Sequence, residues 1–366
     1  MPRDLTLEDV EVLAVGAWIL GTGGGGSPYL GLLNMRKLYA EGCRVRLADA
    51  ASFADDAPIA VVSTMGAPLV GQERLTDSRN VARAVALMEE HTGLRFAGIM
   101  AVEIGGGNAI QPLMAAAHLD QPVVDADFMG RAYPEAQMTS AAVGGLRPYP
   151  LTSVDPRGIE TIVERVPDWP WMERISRRIC VELGSTVATC KAPRTGAEIK
   201  RWGILGTVSK AIAIGRAVRE AQRSHQDPIA AILATEPGIV LFAGKVVDVD
   251  RRATGGFLRG RVCIDGLDAW QGGALAIAFQ NEWIVAWRDD SPCAMSPDLI
   301  CVLDAASGEA VGSETIRYGQ RVTVIALPPP PVFLSPRGLA HVGPRAFGYD
   351  LDYRGVFAAR CGTRSA

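Results

Sequence analysis

The sequence lacks the features that mark several large classes of protein. Its charge is nearly balanced, with 37 Lys and Arg against 40 Asp and Glu, and no basic stripe alternates with aromatic residues. A nucleic-acid partner is therefore disfavoured. No apolar run approaches the length of a membrane span, and the N-terminus lacks the apolar core of a secretory signal. We expect a soluble, cytoplasmic protein that binds neither membranes nor nucleic acid.

Cysteine and histidine are also scarce and scattered. The seven cysteines are odd in number and widely spaced, and no C-x-x-C pair occurs. This pattern fits reduced thiols and disfavours a disulfide framework or a structural zinc site. The four histidines form no H-E-x-x-H pair, so a histidine-rich metal centre is disfavoured as well.

Glycine, in contrast, is abundant, and the segment 21–26 reads Gly-Thr-Gly-Gly-Gly-Gly. It satisfies the G-x-G-x-x-G pattern of a dinucleotide-binding turn, which requires a strand in front of it. Here a capping pattern and apolar residues at helical spacing predict a helix over 5–20, and a Ser-Pro pair predicts a second helix from 28 to about 40. We therefore expect no nucleotide cofactor.

This glycine run has two remaining interpretations. It could be a flexible turn between the two helices. Four consecutive glycines are costly in chain entropy, however, and their bare N–H groups at a helix N-terminus could hold an anionic or carbonyl ligand.

The pattern of apolar runs predicts an α/β protein with two domains. Strands at 43–49, 58–66, 95–104 and 121–130 alternate with helices at 78–93 and 109–120. This alternation predicts a mainly parallel sheet with helices in a domain over 1–165. After an apparent linker at 165–175 and a helical segment near 200–222, short strands predominate from 238 onward. We expect a β-rich (α+β) second domain over 166–366.

Polar residues follow several of the predicted strands. Glu103 precedes a second glycine loop that ends in Asn108, and Asp125 and Asp127 end a later strand. Ligands bind beyond the carboxyl ends of parallel strands, so we expect these side chains to converge. On an extended segment the two aspartates would point to one side, where they could bind a cation, activate water or accept N–H groups. Helix capping or an Asx-turn is the alternative.

Two further polar groups remain open to interpretation. Arg131 either neutralises one of the aspartates or clamps an anionic part of the substrate. The segment 280–282, Gln-Asn-Glu, interrupts an apolar strand of the second domain. It is either a solvent-exposed edge or bulge, or it presents amide and carboxylate groups to the crevice.

Six segments are distinctive in combination and read GTGGGG, VEIGGGNAIQPLMAA, PVVDADFMGRAYPE, FQNEWIVAW, PDLICVLD and GPRAFGYD. Together they resemble the S-methyl-thiohydantoin desulfurase family of bacteria and fungi, long known as DUF917, and the resemblance spans about residues 8–352. It implies an N-terminal α/β domain, a C-terminal β-containing domain and an activity on a five-membered cyclic thiourea-imide. The sequence Asn281-Glu282-Trp283 departs from the more usual Asn-Glu-Asn-Leu, so we expect different substrate-side contacts.

On this basis we expect a hydrolase-type desulfurase of S-methyl-thiohydantoin or a hydantoin-like ring, with water attacking the carbon that bears sulfur. Glu103 or Asp127 would be the base, and a divalent metal, with zinc suspected, would bind Asp125 and Asp127. The alternative is a non-catalytic ligand-binding partner of a hydantoinase/oxoprolinase-type enzyme. A homo-oligomer is also expected.

The site candidates divide into two groups. The catalytic candidates are Glu103, Asp125 and Asp127, and the substrate-binding candidates are Gly23, Gly24, Gly25, Gly26, Gly106, Gly107, Asn108, Arg131, Glu135, Asn281, Glu282 and Asp298.

Overall fold

The computed structural model describes residues 2–67, 70 and 77–357, and its helices and strands are numbered here in chain order. The helices are α1 (Leu7–Leu20), α2 (Tyr29–Ala40), α3 (Arg79–Thr92), α4 (Gln111–Leu119), α5 (Ser140–Val143), α6 (Trp169–Glu182), α7 (Gly196–Trp202), α8 (Thr207–Arg223), α9 (Pro228–Thr235) and α10 (Pro336–Val342). The strands are β1 (Arg3–Leu5), β2 (Val45–Ala48), β3 (Pro58–Gly66), β4 (Gly98–Ala101), β5 (Val123–Val124), β6 (Ala126–Asp127), β7 (Leu151–Val154), β8 (Glu160–Val163), β9 (Thr186–Thr195), β10 (Ile204–Leu205), β11 (Ile239–Thr254), β12 (Phe257–Gly266), β13 (Ala274–Gln280), β14 (Glu282–Arg288), β15 (Ser291–Met295), β16 (Leu299–Asp304) and β17 (Arg321–Leu327).

The first sheet has the strand order β1-β2-β5-β4-β3-β9-β7-β8. Its centre, β2-β5-β4-β3, is parallel, as the alternation of strands and helices predicts. The flanking strands are antiparallel, because β1 pairs with β2 at one edge and β9, β7 and β8 follow β3 at the other. The predicted α/β architecture is confirmed, with a sheet that is mixed.

Helix α8 packs closely on α1, although the two are far apart in the sequence. A Cβ atom at Gly16 would lie 1.9 Å from the carbonyl oxygen of Ala211, and one at Gly215 would lie 1.8 Å from that of Val12. Glycine at these two positions therefore lets the helix backbones touch. The buried faces of both helices join the largest apolar cluster, which also covers the first sheet.

The second sheet is antiparallel throughout and forms a half-barrel with the order β15-β14-β13-β12-β11-β17-β16. Its inward side chains, among them Phe242, Ile264 and Trp283, form a separate apolar cluster. The β-rich second half is thus confirmed. A short antiparallel pair of β6 and β10 also links the two halves of the sequence.

Three features differ from the local sequence patterns. The segment 165–175 contains the start of α6, where the carboxylate of Asp168 accepts the N–H of Trp171 as a helix cap. The helical segment near 200–222 is divided into α7 and α8, and Gly206 adopts a positive φ at the break. Strand β9, which no local pattern indicated, joins the first sheet. The division at residue 165 stays a prediction, and residues 358–366 of its second part lie outside the described residues.

Candidate functional site

A cavity of about 500 Å³ lies beyond the carboxyl ends of β3 and β4. Its lining comes from both glycine loops, the loop after β6, helix α6, strand β9 and the turn between β13 and β14. The polar lining residues are Ser27, Asn34, Ser63, Thr64, Glu103, Asn108, Gln111, Tyr133, Glu135, Glu173, Arg177, Thr186, Lys191, Asn281, Glu282 and Glu314. Segments far apart in the sequence therefore surround one cavity of the size that small-molecule sites have.

The two glycine loops pack backbone against backbone at this cavity. The N–H of Gly107 donates to the carbonyl oxygens of Gly25 and Gly26, at 3.0 and 2.9 Å. Gly25 has φ +75°, and a Cβ atom there would lie 2.5 Å from the Gly105 carbonyl oxygen. Glycine is therefore required by close packing as well as by conformation, and a merely flexible turn does not describe the loop.

The glycine candidates do not all reach the cavity. Gly25, Gly26 and Gly107 line it, whereas Gly106 packs against the first loop. A Cβ at Gly23 would meet the indole of Trp283, and one at Gly24 would lie 2.1 Å from Glu282 Oε1. The absence of side chains at Gly23 and Gly24 thus leaves space for Trp283 and Glu282 of the second sheet.

Glu103 lies on the cavity wall directly after β4 and is only 6% exposed. Its Oε1 accepts the Asn108 side-chain N–H at 2.5 Å, and its Oε2 accepts the backbone N–H of Tyr133 at 3.1 Å. Burial raises the pKa of Glu103 to about 7, although both hydrogen bonds lower it. The carboxyl group is thus held in place and titrates near neutrality.

Asn108 connects Glu103 to strand β3. Its Oδ1 accepts the backbone N–H of Thr64 at 2.7 Å, which leaves its N–H free to donate to Glu103. A single amide therefore fixes the position of the carboxyl group relative to two neighbouring parallel strands.

Glu282 enters the same cavity from the second sheet. It follows Asn281, which turns the chain with φ 58° and accepts the Leu258 N–H at 2.9 Å. Glu282 is 2% exposed, and its Oε2 has no hydrogen-bond partner among the residues that the structure describes. Burial first, and then the charge of Glu103, raise the pKa of Glu282 well above its ordinary value. The backbone N–H of Gly25 lowers it.

Sequence patterns alone missed several lining residues, of which Lys191 is the most informative. It is the one charged residue in the stretch 187–192 of β9, which is otherwise uncharged and mainly apolar, and this could have identified it from the sequence. Burial lowers the pKa of its amine, whereas the charges of Glu173 and Glu103 raise it. Within the described chain, no carboxylate oxygen lies within 4.0 Å of the Lys191 amine.

The two aspartates are separated by the structure. Asp125 caps α8, because its Oδ1 accepts the N–H groups of Val208 and Ser209 at 2.8 and 3.1 Å. Asp127 is fully buried behind the cavity wall, and its Oδ2 accepts three backbone N–H groups, including that of Gly130 at 2.7 Å. Burial raises the pKa of Asp127 to about 7, although these hydrogen bonds lower it. Neither residue lines the cavity.

These contacts bear on the expected divalent metal. Asp125 and Asp127 present no shared face on which an ion could be held, so the pair does not fit a metal site and we derive no step through one. No group of three or more His, Cys, Asp and Glu side chains suited to a metal occurs in residues 2–67, 70 and 77–357. Zinc or another divalent cation stays a prediction that elemental analysis of the purified protein tests.

Arg131 is fully buried and also lies outside the cavity lining. Its guanidinium donates to Thr22 Oγ1 at 2.6 Å and to the carbonyl oxygens of Asp298 and Trp283 at 2.9 and 3.2 Å. It also stacks on the ring of Tyr133, 4.6 Å from the centroid. Instead of pairing with an aspartate, Arg131 joins the first glycine loop to the second sheet.

The last two candidates have satisfied carboxylates. Asp298 is buried away from the cavity and accepts the Tyr353 hydroxyl at 2.7 Å and the Val356 N–H at 3.1 Å. Burial nevertheless raises the pKa of Asp298 to about 6. Glu135 does line the cavity, and its oxygens accept the side-chain N–H groups of Gln280 and Gln137 at 2.9 and 2.6 Å.

No helix in the described part of the chain has the length and apolar character needed to cross a membrane. No curated protein matches the sequence.

A solved structure of similar fold is a crystal structure of a protein from Chromobacterium violaceum. It is 24% identical in sequence, with a TM-score of 0.81, and the match covers 97% of this chain and 100% of the other. At this identity the likeness establishes the fold. Two family profiles also match, described as "S-Me-THD-like, N-terminal domain" over residues 8–165 and "S-Me-THD-like, C-terminal domain" over residues 167–356. Because the two profiles together span nearly the whole chain, this protein belongs to the S-Me-THD-like family.

Proposed function

We propose that this protein is a hydrolase that removes the sulfur substituent from S-methyl-thiohydantoin or a closely similar hydantoin-like ring. One observation carries the proposal: the buried carboxyl groups of Glu103 and Glu282 face a single cavity, and burial raises the pKa of both. Two carboxyl groups that interact in one cavity lose their protons in two steps, so one can act as base while the other acts as acid at the same pH.

The family supports the choice of ring, since its description refers to S-Me-THD. The cavity volume of about 500 Å³ suits a five-membered ring with a small substituent. Apolar lining from Met65, Val102, Met114 and Met129 would contact the ring faces, while the carboxyl groups meet its N–H edge.

The reaction requires a water molecule, a base and an acid. Glu103, whose ionised form is favoured by the N–H groups of Asn108 and Tyr133, accepts a proton as water oxygen bonds to the ring carbon that carries sulfur. Glu282, whose pKa burial raises well above its ordinary value, donates a proton to the departing sulfur. The carbon–sulfur bond breaks and methanethiol leaves. The hydroxyl proton passes to the ring nitrogen as the ring carbon becomes a carbonyl, and the proton on Glu103 returns to Glu282. Asn108 holds Glu103 in position throughout.

The test is release of methanethiol from S-methyl-thiohydantoin, followed with a thiol reagent, and formation of hydantoin, followed by mass spectrometry. Glu103→Gln keeps the size of the side chain and one acceptor but removes the base, so we expect turnover to fall about 10²–10⁴-fold. Glu90→Gln, an exposed carboxylate paired with Arg83, is the matched control and should retain wild-type turnover.

Two results would reject the proposal. One is turnover by Glu103→Gln at the wild-type rate. The other is an absence of product from the wild-type protein together with a ligand-induced rise in melting temperature. That second result would favour the non-catalytic alternative, in which the protein binds the ring as a partner of a hydantoinase/oxoprolinase-type enzyme.

A further inference from the structure

The charges that line the cavity are unequal in number. Five carboxyl groups face it, against two cationic side chains; they belong to Glu103, Glu135, Glu173, Glu282 and Glu314, and the cations to Lys191 and Arg177. Arg177 is already engaged, because its Nε donates to the Glu173 carboxylate on the same helix face and its Nη2 donates to the Pro134 carbonyl at 3.0 Å. Acidic groups on the cavity wall therefore outnumber free basic ones, and burial raises the pKa of three of them, Glu103, Glu282 and Glu314.

A second observation is that polar atoms on this wall are buried without partners. Glu282 Oε2 and Gln111 Oε1 form no hydrogen bond with any described residue, and their side chains belong to residues that are 2% and 8% exposed. Both residues line the cavity, where these two oxygens can accept N–H groups. The hydroxyl groups of Thr64 and Tyr133, which also line it, are likewise without partners among the described residues and can donate or accept. A buried acceptor without a partner costs about 1–3 kcal/mol, which a ligand that supplies N–H groups would recover.

We propose that this cavity binds a planar, positively charged amidine-type group, so that it prefers cyclic isothiouronium and guanidinium ions, the protonated forms of isothioureas and guanidines, to uncharged ring imides. The inference rests on the proposed function, since it concerns the same site, and adds the charge and chemical class of the ring. Such a group carries N–H donors along its edge, and carboxylates bind these with two parallel, charge-assisted hydrogen bonds.

The electrostatics of the pair agree with a cationic ligand. Burial disfavours the ionised forms of Glu103 and Glu282 and raises the pKa of each, and the negative charges of Asp127 and Glu103, respectively, add to this effect. A bound cation offsets both effects at once. Positive charge on the ring also makes its central carbon more electrophilic toward water.

A second class of substrate follows from this chemistry. In a cyclic guanidinium ion the same carbon carries nitrogen where the isothiouronium carries sulfur. Water adds to that carbon as Glu103 takes one of its protons, Glu282 protonates the exocyclic nitrogen, and the carbon–nitrogen bond breaks. The hydroxyl proton returns to Glu282 as the ring carbonyl forms, and the proton on Glu103 leaves with the ammonia as ammonium. We therefore expect the protein to hydrolyse cyclic guanidines to cyclic ureas, by the same pair of carboxyl groups.

Calorimetric titration of the full-length protein tests the binding step without requiring turnover. The probes are 2-methylthio-2-imidazoline, a cyclic isothiouronium cation at neutral pH, and 2-imidazolidinone, an uncharged ring of the same size. We expect the cation to bind at least tenfold more tightly, a difference of about 1.4 kcal/mol. Glu282→Gln should weaken cation binding about tenfold, whereas Glu90→Gln, which alters an exposed carboxylate outside the cavity, should leave it unchanged.

The variant Lys191→Met distinguishes a cationic ligand from an anionic one. If the site bound an anion, the one amine on β9 would hold it, and Lys191→Met would abolish binding. For a cationic ligand we expect the same variant to bind the isothiouronium at least as tightly as the wild type. Equal affinity for the two probes, or loss of cation binding in Lys191→Met, would overturn the inference.

The titrations and the methanethiol assay together distinguish rejection of the cationic ligand class from rejection of the proposed hydrolysis. Should the wild type release no methanethiol and still prefer the cation in titration, the hydrolysis is rejected and the ligand class is retained. Should it release methanethiol but bind both probes equally, the hydrolysis is retained and the ligand class is rejected.

Discussion

Buried charges occur in two regions of this molecule, and the regions differ in how those charges are satisfied. Behind the first glycine loop, Arg131 donates to Thr22 and to backbone carbonyls, and Asp298 accepts from Tyr353 and Val356. On the cavity wall, Glu282 is equally buried but leaves one oxygen without a partner. Burial of a charge therefore does not identify a functional group. Incomplete hydrogen bonding at a cavity is the better indicator.

The largest expected change in stability follows substitution of Arg131, whose hydrogen bonds join the first glycine loop to the second sheet. Arg131→Met leaves the carbonyls of Trp283 and Asp298 and the Thr22 hydroxyl without their donor, and we expect the free energy of unfolding to fall by about 3 kcal/mol. Urea denaturation measures it. Arg36→Met, which removes an exposed pair with Glu11, should cost less than about 1 kcal/mol. Equal losses for the two variants would contradict the contrast between regions.

On the cavity wall we expect a substitution of Glu282 to stabilise the protein, by less than the loss of Arg131 destabilises it. The pKa of Glu282 is raised in the folded state, so folding at higher pH requires either protonation of this group or burial of its charge. The wild type therefore loses stability, at up to about 1.4 kcal/mol per pH unit, as the pH rises from the unfolded pKa of this group to its raised pKa in the folded state. Glu282→Gln has no such loss.

We accordingly expect Glu282→Gln to melt a few degrees above the wild type at pH 8, with a difference that shrinks toward pH 5. Thermal unfolding across this pH range measures it, alongside Glu90→Gln, whose exposed side chain should change the pH dependence little. A difference that is constant with pH, or a less stable variant at pH 8, would show that Glu282 is satisfied in the folded protein.

The smallest effect concerns Asp125, whose carboxylate caps α8. Asp125→Ala should lower the free energy of unfolding by about 1 kcal/mol, as the loss of a helix cap does, with little change in turnover. Chemical denaturation and the thiol-release assay measure the two quantities. A large loss of turnover without a loss of stability would instead restore the catalytic role that the sequence pattern suggested.

Much of the fold follows from local patterns. The helix predicted over 78–93 is observed at Arg79–Thr92, and the strand predicted over 58–66 at Pro58–Gly66. The convergence of Glu103, Asn108 and the glycine loops also follows, because the ends of neighbouring parallel strands meet at one edge of a sheet. These elements depend on short-range periodicity, which the sequence displays directly.

The remaining features depend on long-range pairing or on departures from regular geometry. Lys191 reaches the cavity because β9 pairs with β3, in a register that joins Thr189 to Ser63. No local pattern specifies that register. Asp125 and Asp127 do not share a face because β5 and β6 are two-residue strands, and Asp125 lies in the bend between them. The alternation of a regular strand does not apply there.

The contact between the first glycine loop and the β13–β14 turn also determines when the cavity can form during synthesis of the chain. Domains fold from the N-terminus as the chain emerges from the ribosome, and Glu103 and both glycine loops emerge long before Glu282 and Trp283. Until the second sheet arrives, the bare backbone at Gly23 and Gly24 has nothing to cover it. The cavity is therefore one of the last parts of the molecule to be completed, and a truncated chain that ends before β14 lacks Glu282, one of the two carboxyl groups to which we assign the reaction.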